Sequence, residues 1–238
     1  MKHFYSIAIL LAMVGAAMPG RASAQDDTTK ACLRDPNADK RLDACTKILA
    51  AHPSDPNFSW AHNMRGIAYY QKNDLTSAVR EYGASIKLNP KDPQAYNNRG
   101  AAHFQLGQFA PAVEDYTAAL KIDPRDAAAY NNRALANFQL GKIDQAVQDY
   151  TSSIKLDPKY PGAYQSRGLI YLGQNKIDLA FVDFDMAVKL NPKSAESLFL
   201  RSAGFRKKGN AASANADLAA AKLLDPNIVS KMASIGLK

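Results

Sequence analysis

The sequence predicts an all-α solenoid of antiparallel helix pairs, and three observations predict it. Pro90, Pro124, Pro158, Pro192 and Pro226 stand thirty-four residues apart, each after Asn or Asp. Arginine keeps the same step at Arg65, Arg99, Arg133, Arg167 and Arg201, and alanine at Ala78, Ala112, Ala146, Ala180 and Ala214. Within each step the apolar residues fall twice on a helical face, with Gly or Asn between the two faces. A fixed period of this length marks repeat architectures, in which each unit buries its apolar face only against its neighbours. Tyr-Asn-Asn-Arg at residues 96–99 returns at residues 130–133 for this structural reason, since catalytic groups are rarely duplicated in register.

At the N-terminus, residues 1–24 read as a cleaved secretory signal. Met1, Lys2 and His3 lead into an apolar run from Ile7 to Ala17, followed by Pro19 and the Ala22, Ser23, Ala24 triplet. That run is about half of the ~20 residues that cross a bilayer, which makes a retained anchor the lesser reading. Gln25, where a lipid-anchored chain would carry Cys, points the same way. The mature chain is expected to be soluble and exported, to the periplasm or outside the cell, with no stable membrane insertion. Without Lys2 and Arg21 the formal charge falls from +8 by two, to +6. The basic residues are spread along the chain with acids between them, so no nucleic-acid partner is expected.

Residues 25–56 form an N-terminal half-repeat. The text from Arg41 to Pro53 resembles that from Ala112 to Pro124, with Cys45 in the place of Tyr116. Cys32 and Cys45 lie thirteen positions apart, and an exported chain with two nearby cysteines most often pairs them. Closing so short a loop stabilises by roughly 3 kcal/mol in the chain-entropy model. A metal site or reactive thiol has no support, because His3, His52, His62 and His103 are scattered. No metal or cofactor is expected.

Five repeats follow at 57–90, 91–124, 125–158, 159–192 and 193–226. In the second, Tyr96, Gly100, His103 and Phe104 share one helical face, and Ala112, Tyr116, Ala119 and Leu120 share another. Gly107, Gly141 and Gly209, with Asn73 and Asn175 in the other copies, tolerate the left-handed turn that ends a helix. The Asp-Pro or Asn-Pro pair stops the second helix. The fifth copy decays, with Leu198 for Tyr, Asn215 for Val, and Lys222 where Leu120 or Ile154 would be buried. Residues 227–238 are expected to add a capping helix carrying Ile228, Val229, Met232 and Ile235.

Over about Asn57 to Pro226 these residues resemble the tetratricopeptide repeat, whose pattern the second copy follows as Tyr96, Arg99-Gly100, His103, Ala112-x-x-x-Tyr116 and Pro124. The resemblance implies a right-handed superhelix whose concave face is lined by first helices. One departure is systematic. Arg stands for the family's Leu in every copy, and an acid recurs in the second helix at Glu81, Asp115, Asp149, Asp183 and Asp217. Folding about the turn sets positions 99 and 115 at similar heights, so an ion pair repeated in all five units is expected, Arg99 with Asp115 and Arg133 with Asp149 among them. A partly buried Arg without a partner would be costly.

The residues beside the core aromatic are Asn63, Asn97, Asn98, Asn131, Asn132 and Gln165, joined further along the helix by Gln71, Gln105 and Gln139. Asparagine prefers caps and turns, so pairs of it in mid-helix need a reason. Two readings stand. The amides bond the backbone of an extended peptide, as in the asparagine ladder of the glycosyltransferase that modifies Ser and Thr with N-acetylglucosamine, to which Asn98 and Asn132 correspond. Alternatively they are solvated or bond neighbouring helices. The family's clamp for a C-terminal carboxylate is matched only at Asn98, its cationic positions holding Asn63, Ala128 and Ser166.

The expected function is a non-enzymatic interaction scaffold for a peptide or partner protein, with a monomer favoured. An envelope enzyme has no catalytic residues to offer, since no Ser/His/Asp, Cys/His, phosphate-loop or metal pattern stands outside the repeat text. An assembly subunit is the other alternative, and exposure of the Ile228–Ile235 cap would favour it.

Overall fold

Thirty-four-residue spacing becomes helix pairs in the computed structural model, which describes residues 27–234. The chain opens with α1 (Asp27–Arg34) and α2 (Ala38–Ala51), then a short 3-10 turn at Pro56–Phe58. The repeats follow as α3 (Ser59–Gln71) and α4 (Leu75–Leu88), α5 (Pro93–Gln105) and α6 (Phe109–Ile122), α7 (Ala127–Gln139) and α8 (Ile143–Leu156), α9 (Pro161–Gly173) and α10 (Ile177–Leu190), α11 (Ala195–Lys207) and α12 (Ala211–Leu224). α13 (Ile228–Ser234) comes last, and no strand occurs among the described residues. The expected signal segment 1–24 and Ile235 lie outside them.

Local chemistry sets the helix ends. Asp74, Asp92, Asp126, Ser194 and Asn210 accept bonds from first-turn amides, satisfying donors that the helix leaves orphaned. Asn73, Gly107, Gly141, Asn175 and Gly209 all take positive φ, between 57° and 77°, at the turn inside a pair. These are the five positions that the sequence marked.

The helices fall into two compact units, α1–α7 within Ile9–Leu140 and α8–α13 within Gly141–Lys238. In the first unit, α3 packs on α4 and α5 on α6. Contacts run in opposite directions along each pair: Arg99 meets Asp115 at mid-helix, while Phe104 stacks edge-on against Phe109 at the turn, 5.2 Å between centroids. The pair closes tightly because Gly faces the core ring. A Cβ on Gly66 would stand 2.6 Å from Tyr82, and one on Gly100 2.9 Å from Tyr116. Tyr82 and Tyr116 are fully buried with Ala78 and Ala112 beside them. Burial of a side chain of this size stabilises by about 1.5–3 kcal/mol. The second unit repeats the arrangement, with Gly168 under Phe184 and α9 packed on α10.

Of the five Arg–acid pairs, four lie within one unit, and all four are formed. Arg65 Nε donates to Glu81 at 2.9 Å. Arg99 reaches both oxygens of Asp115 at 2.9 and 2.6 Å, Arg167 those of Asp183 at 2.9 and 2.8 Å, and Arg201 those of Asp217 at 2.7 and 2.8 Å. Such forked bonds add geometric specificity to charge attraction. A third partner comes from the preceding second helix. Arg133 Nη1 donates to Thr117 at 3.2 Å, Arg167 Nη1 to Thr151 at 2.9 Å, and Arg201 Nη1 to Asp185 at 3.0 Å. Each guanidinium therefore fastens its own first helix to the second helix before it, and in Arg167 and Arg201 to the second helix after it as well. That link between repeats escaped the sequence, although its trace is there: Thr117, Thr151 and Asp185 each follow a core aromatic.

The N-terminal half-repeat is fuller than expected. A two-turn first helix, α1, lies on α2, and a disulfide joins Cys32 to Cys45. Both sulfurs are buried, in a cluster with Ile48, Leu49 and Ala61, so Cys45 holds the core place of the missing aromatic. At the other end α13 packs on α11 and α12, burying Ile228 and Met232 against Val188, Leu198 and Phe199. Val229 stays exposed, as does Lys222.

Candidate peptide-binding face

The first unit brings three first helices, α3, α5 and α7, side by side. Asn63 sits on α3, Asn97, Asn98 and Gln105 on α5, and Asn131, Asn132 and Gln139 on α7. Periodicity puts these amides at equivalent heights, and the structure links them across helices. Asn98 Nδ2 donates to Asn63 Oδ1 at 3.0 Å. Asn97 Nδ2 donates to Asp126 at 2.6 Å, the carboxylate that also caps α7 through the Ala129 amide. Asn131 Nδ2 approaches Asn132 Oδ1 at 3.4 Å. In the second unit Gln165 Nε2 on α9 donates to Ser197 Oγ on α11 at 2.8 Å. Gln71 accepts from Arg41 at 3.2 Å, tying α3 to α2.

Burial divides the candidates. Asn63 and Asn131 are each only 5% exposed, so they underpin the face and present little of themselves. Asn97, Asn98, Asn132, Gln139 and Gln165 are half-buried, and Gln105 is exposed. An amide carries two donor hydrogens and an acceptor oxygen, and the Asn98–Asn63 bond uses one hydrogen of Asn98. Its second hydrogen and its oxygen remain for a ligand, held at an orientation that Asn63 fixes.

Two polar atoms on these helices are shut off from solvent: Asn97 Oδ1, with no hydrogen-bond partner among the described residues, and the Tyr70 hydroxyl, with Gln105 close by. A polar atom left without a partner inside a protein is costly. Burial pushes the Tyr70 hydroxyl up to about 12, with the nearby Gln105 side chain pulling it the other way. Tyr70 was not singled out from the sequence. Its signal is that Phe104 and Phe138 hold the equivalent places, so a hydroxyl there adds nothing to core packing.

Among the described residues no group of His, Cys, Asp or Glu is placed to hold a metal, and no helix is long and apolar enough to cross a membrane.

Residues 66–107 and 100–141 match the family described as TPR repeat, and residues 127–160 match that described as tetratricopeptide repeat. Residues 66–160 are tetratricopeptide repeats. No curated protein matches the chain in sequence. Among solved structures, this chain is similar to PilF of Pseudomonas aeruginosa, with TM-score 0.71 and 18% identity over 80% of this chain and 85% of that one. It is similar also to YrrB, described as a TPR protein with an unusual peptide-binding site, with TM-score 0.65 and 16% identity over 82% of this chain and all of that one. MamA gives TM-score 0.64 and 20% identity over 72% of this chain and 94% of that one. At these identities the likeness is one of fold. The Arg-for-Leu departure is therefore read from this chain's own contacts.

Proposed function

We propose that this protein is a non-enzymatic interaction scaffold that takes an extended peptide segment of a partner protein on the α3–α5–α7 face, in an exported, oxidising compartment. The observation that carries the reading is the half-buried Asn98 amide, held in orientation by its bond to Asn63. A peptide backbone offers alternating donors and acceptors that match such groups without reading side chains. The peptide-binding site that YrrB's description names supports the same use of the fold. The Cys32–Cys45 disulfide and the signal-like segment 1–24 support export.

The test measures binding of extended peptides of mixed sequence to the native chain and to Asn98→Ala/Asn132→Ala. Each net hydrogen bond contributes about 0.5–1.5 kcal/mol, so the double variant should bind roughly 1–3 kcal/mol more weakly, with helicity unchanged. As a control, Tyr116→Ala in the core should lower stability by about 3–5 kcal/mol and lose binding only through unfolding. Equal binding by the native chain and the asparagine variant would refute the reading.

A further inference from the structure

The second helices carry their own repeating surface, and one of them breaks its rule. Three positions on the face of α10 turned away from α9 hold Leu179, Val182 and Met186, which are 50%, 62% and 36% exposed. They are three and four residues apart and form one stripe. The equivalent residues elsewhere are Ser77, Arg80 and Ala84 in α4, Pro111, Glu114 and Ala118 in α6, and Gln145, Gln148 and Ser152 in α8. The same scaffold position is thus polar or small in every other copy, which rules out packing inside a repeat as the reason for the apolar residues. The stripe does not stop at α10. Arg201 binds Asp185 of α10 and Asp217 of α12, which holds the two helices together, and α12 carries Ala216 and Ala220 at the equivalent places and Leu223, 87% exposed, beyond them. A contiguous exposed apolar patch on a soluble chain marks an interaction surface.

The charges at its ends point to the occupant. Asp178 stands at the N-terminal end of the stripe and Lys189 at its C-terminal end, with Val182 and Met186 between them on one helical line. In the single chain Asp178 reaches Lys208, and Lys189 reaches the half-buried Asp185 at 2.8 Å; Asp178 and Lys189 are themselves exposed and can exchange these partners. An antiparallel copy of α10 sets Asp178 against the second copy's Lys189, and the reverse, while the apolar residues meet in the middle. A twofold interface demands this self-complementarity of a single patch. We propose that the α10 face, continued by α12, is a homotypic docking surface on which a second copy of this chain packs antiparallel through Leu179, Val182 and Met186. Stable dimers bury about 800 Å² on each partner, and one helix face supplies less, so the association is weak and concentration-dependent. It uses residues of second helices only, whereas the peptide reading rests on residues of first helices, so each can be tested by its own substitutions.

Sedimentation and light scattering of the disulfide-bonded mature chain, from micromolar to millimolar protein, give the test. The native chain should move from monomer to dimer across that range. Leu179→Gln/Val182→Gln/Met186→Ser gives α10 the residues that α8 already carries on the same face, so the fold tolerates them, and it should raise the dimer dissociation constant at least tenfold with helicity unchanged. Val182→Gln alone, the mildest change, should weaken the dimer in the same direction. Asp178→Lys should weaken the dimer, and adding Lys189→Asp should restore it, which a parallel pair or a nonspecific apolar contact would not do. A native chain that stays monomeric at millimolar protein, a triple variant that dimerises as the native chain does, or a charge exchange that fails to restore the dimer would each overturn the proposal.

Discussion

Arg167→Leu restores the residue that the TPR family usually carries, yet here it should destabilise strongly. Asp183 is 2% exposed and takes two bonds from Arg167, at 2.9 and 2.8 Å. Burial alone disfavours the guanidinium charge, but the Asp183 hydrogen bonds and charge outweigh it and raise the Arg167 pKa above its ordinary value. Removing one partner of a buried pair costs about 3–5 kcal/mol, because the other charge is left without compensation. The Thr151 bond at 2.9 Å is lost with it, worth about 0.5–1.5 kcal/mol at most at this exposed site. Replacing both partners, as Arg167→Leu/Asp183→Leu, leaves no stranded charge and should recover most of the loss. The readouts are urea unfolding followed by circular dichroism and amide hydrogen exchange of α9 and α10. Repeat chains lose cooperativity between units, and exchange reports the local opening directly. If Arg167→Leu unfolds with the native chain, or if the double variant is as damaged as the sum of the two singles, then the pair is not what holds Asp183 in the core.

Two further outcomes follow from named contacts. Non-reducing mass spectrometry of the chain, purified without reductant, should find no alkylatable thiol at Cys32 or Cys45, and reduction should free α1 and α2 to exchange while α5 and α6 stay protected, at a cost of roughly 3 kcal/mol. Glu81, facing His62, Arg65 and Arg80, is pushed up by burial but held below its ordinary value by its bonds to His62 and Arg65. A carboxylate lowered in the folded state contributes stability that is full above its unfolded value and is lost as pH falls through the folded value. Acid titration monitored by α3–α4 hydrogen exchange should therefore show opening below the ordinary carboxylate range, and Glu81→Gln should flatten that dependence. An unchanged profile in Glu81→Gln would assign the acid sensitivity to other groups.

The helix pairs, their turns and their ion pairs were legible in the sequence because each depends on residues at a fixed, short spacing. Apolar periodicity, left-handed turn residues such as Gly107 and Asn175, and the shared recurrence of Arg and acid are local rules repeated five times, so the copies corroborate one another. What the sequence could not show was which groups end up dry. Asn63, Asn97 and Asn131 hold the same place in their repeats, yet Asn63 and Asn131 are buried and Asn97 is half-open, because burial depends on what covers each copy. The short α1 escaped prediction because its eight residues carry no repeat pattern, and the disulfide and α2 hold it. Likewise Leu179, Val182 and Met186 read in isolation as core residues of an apolar helix. Only packing against α9 and α11 decides which side of α10 is left in water, since a helix has one face to bury per neighbour and α10 has more apolar residues than its neighbours cover.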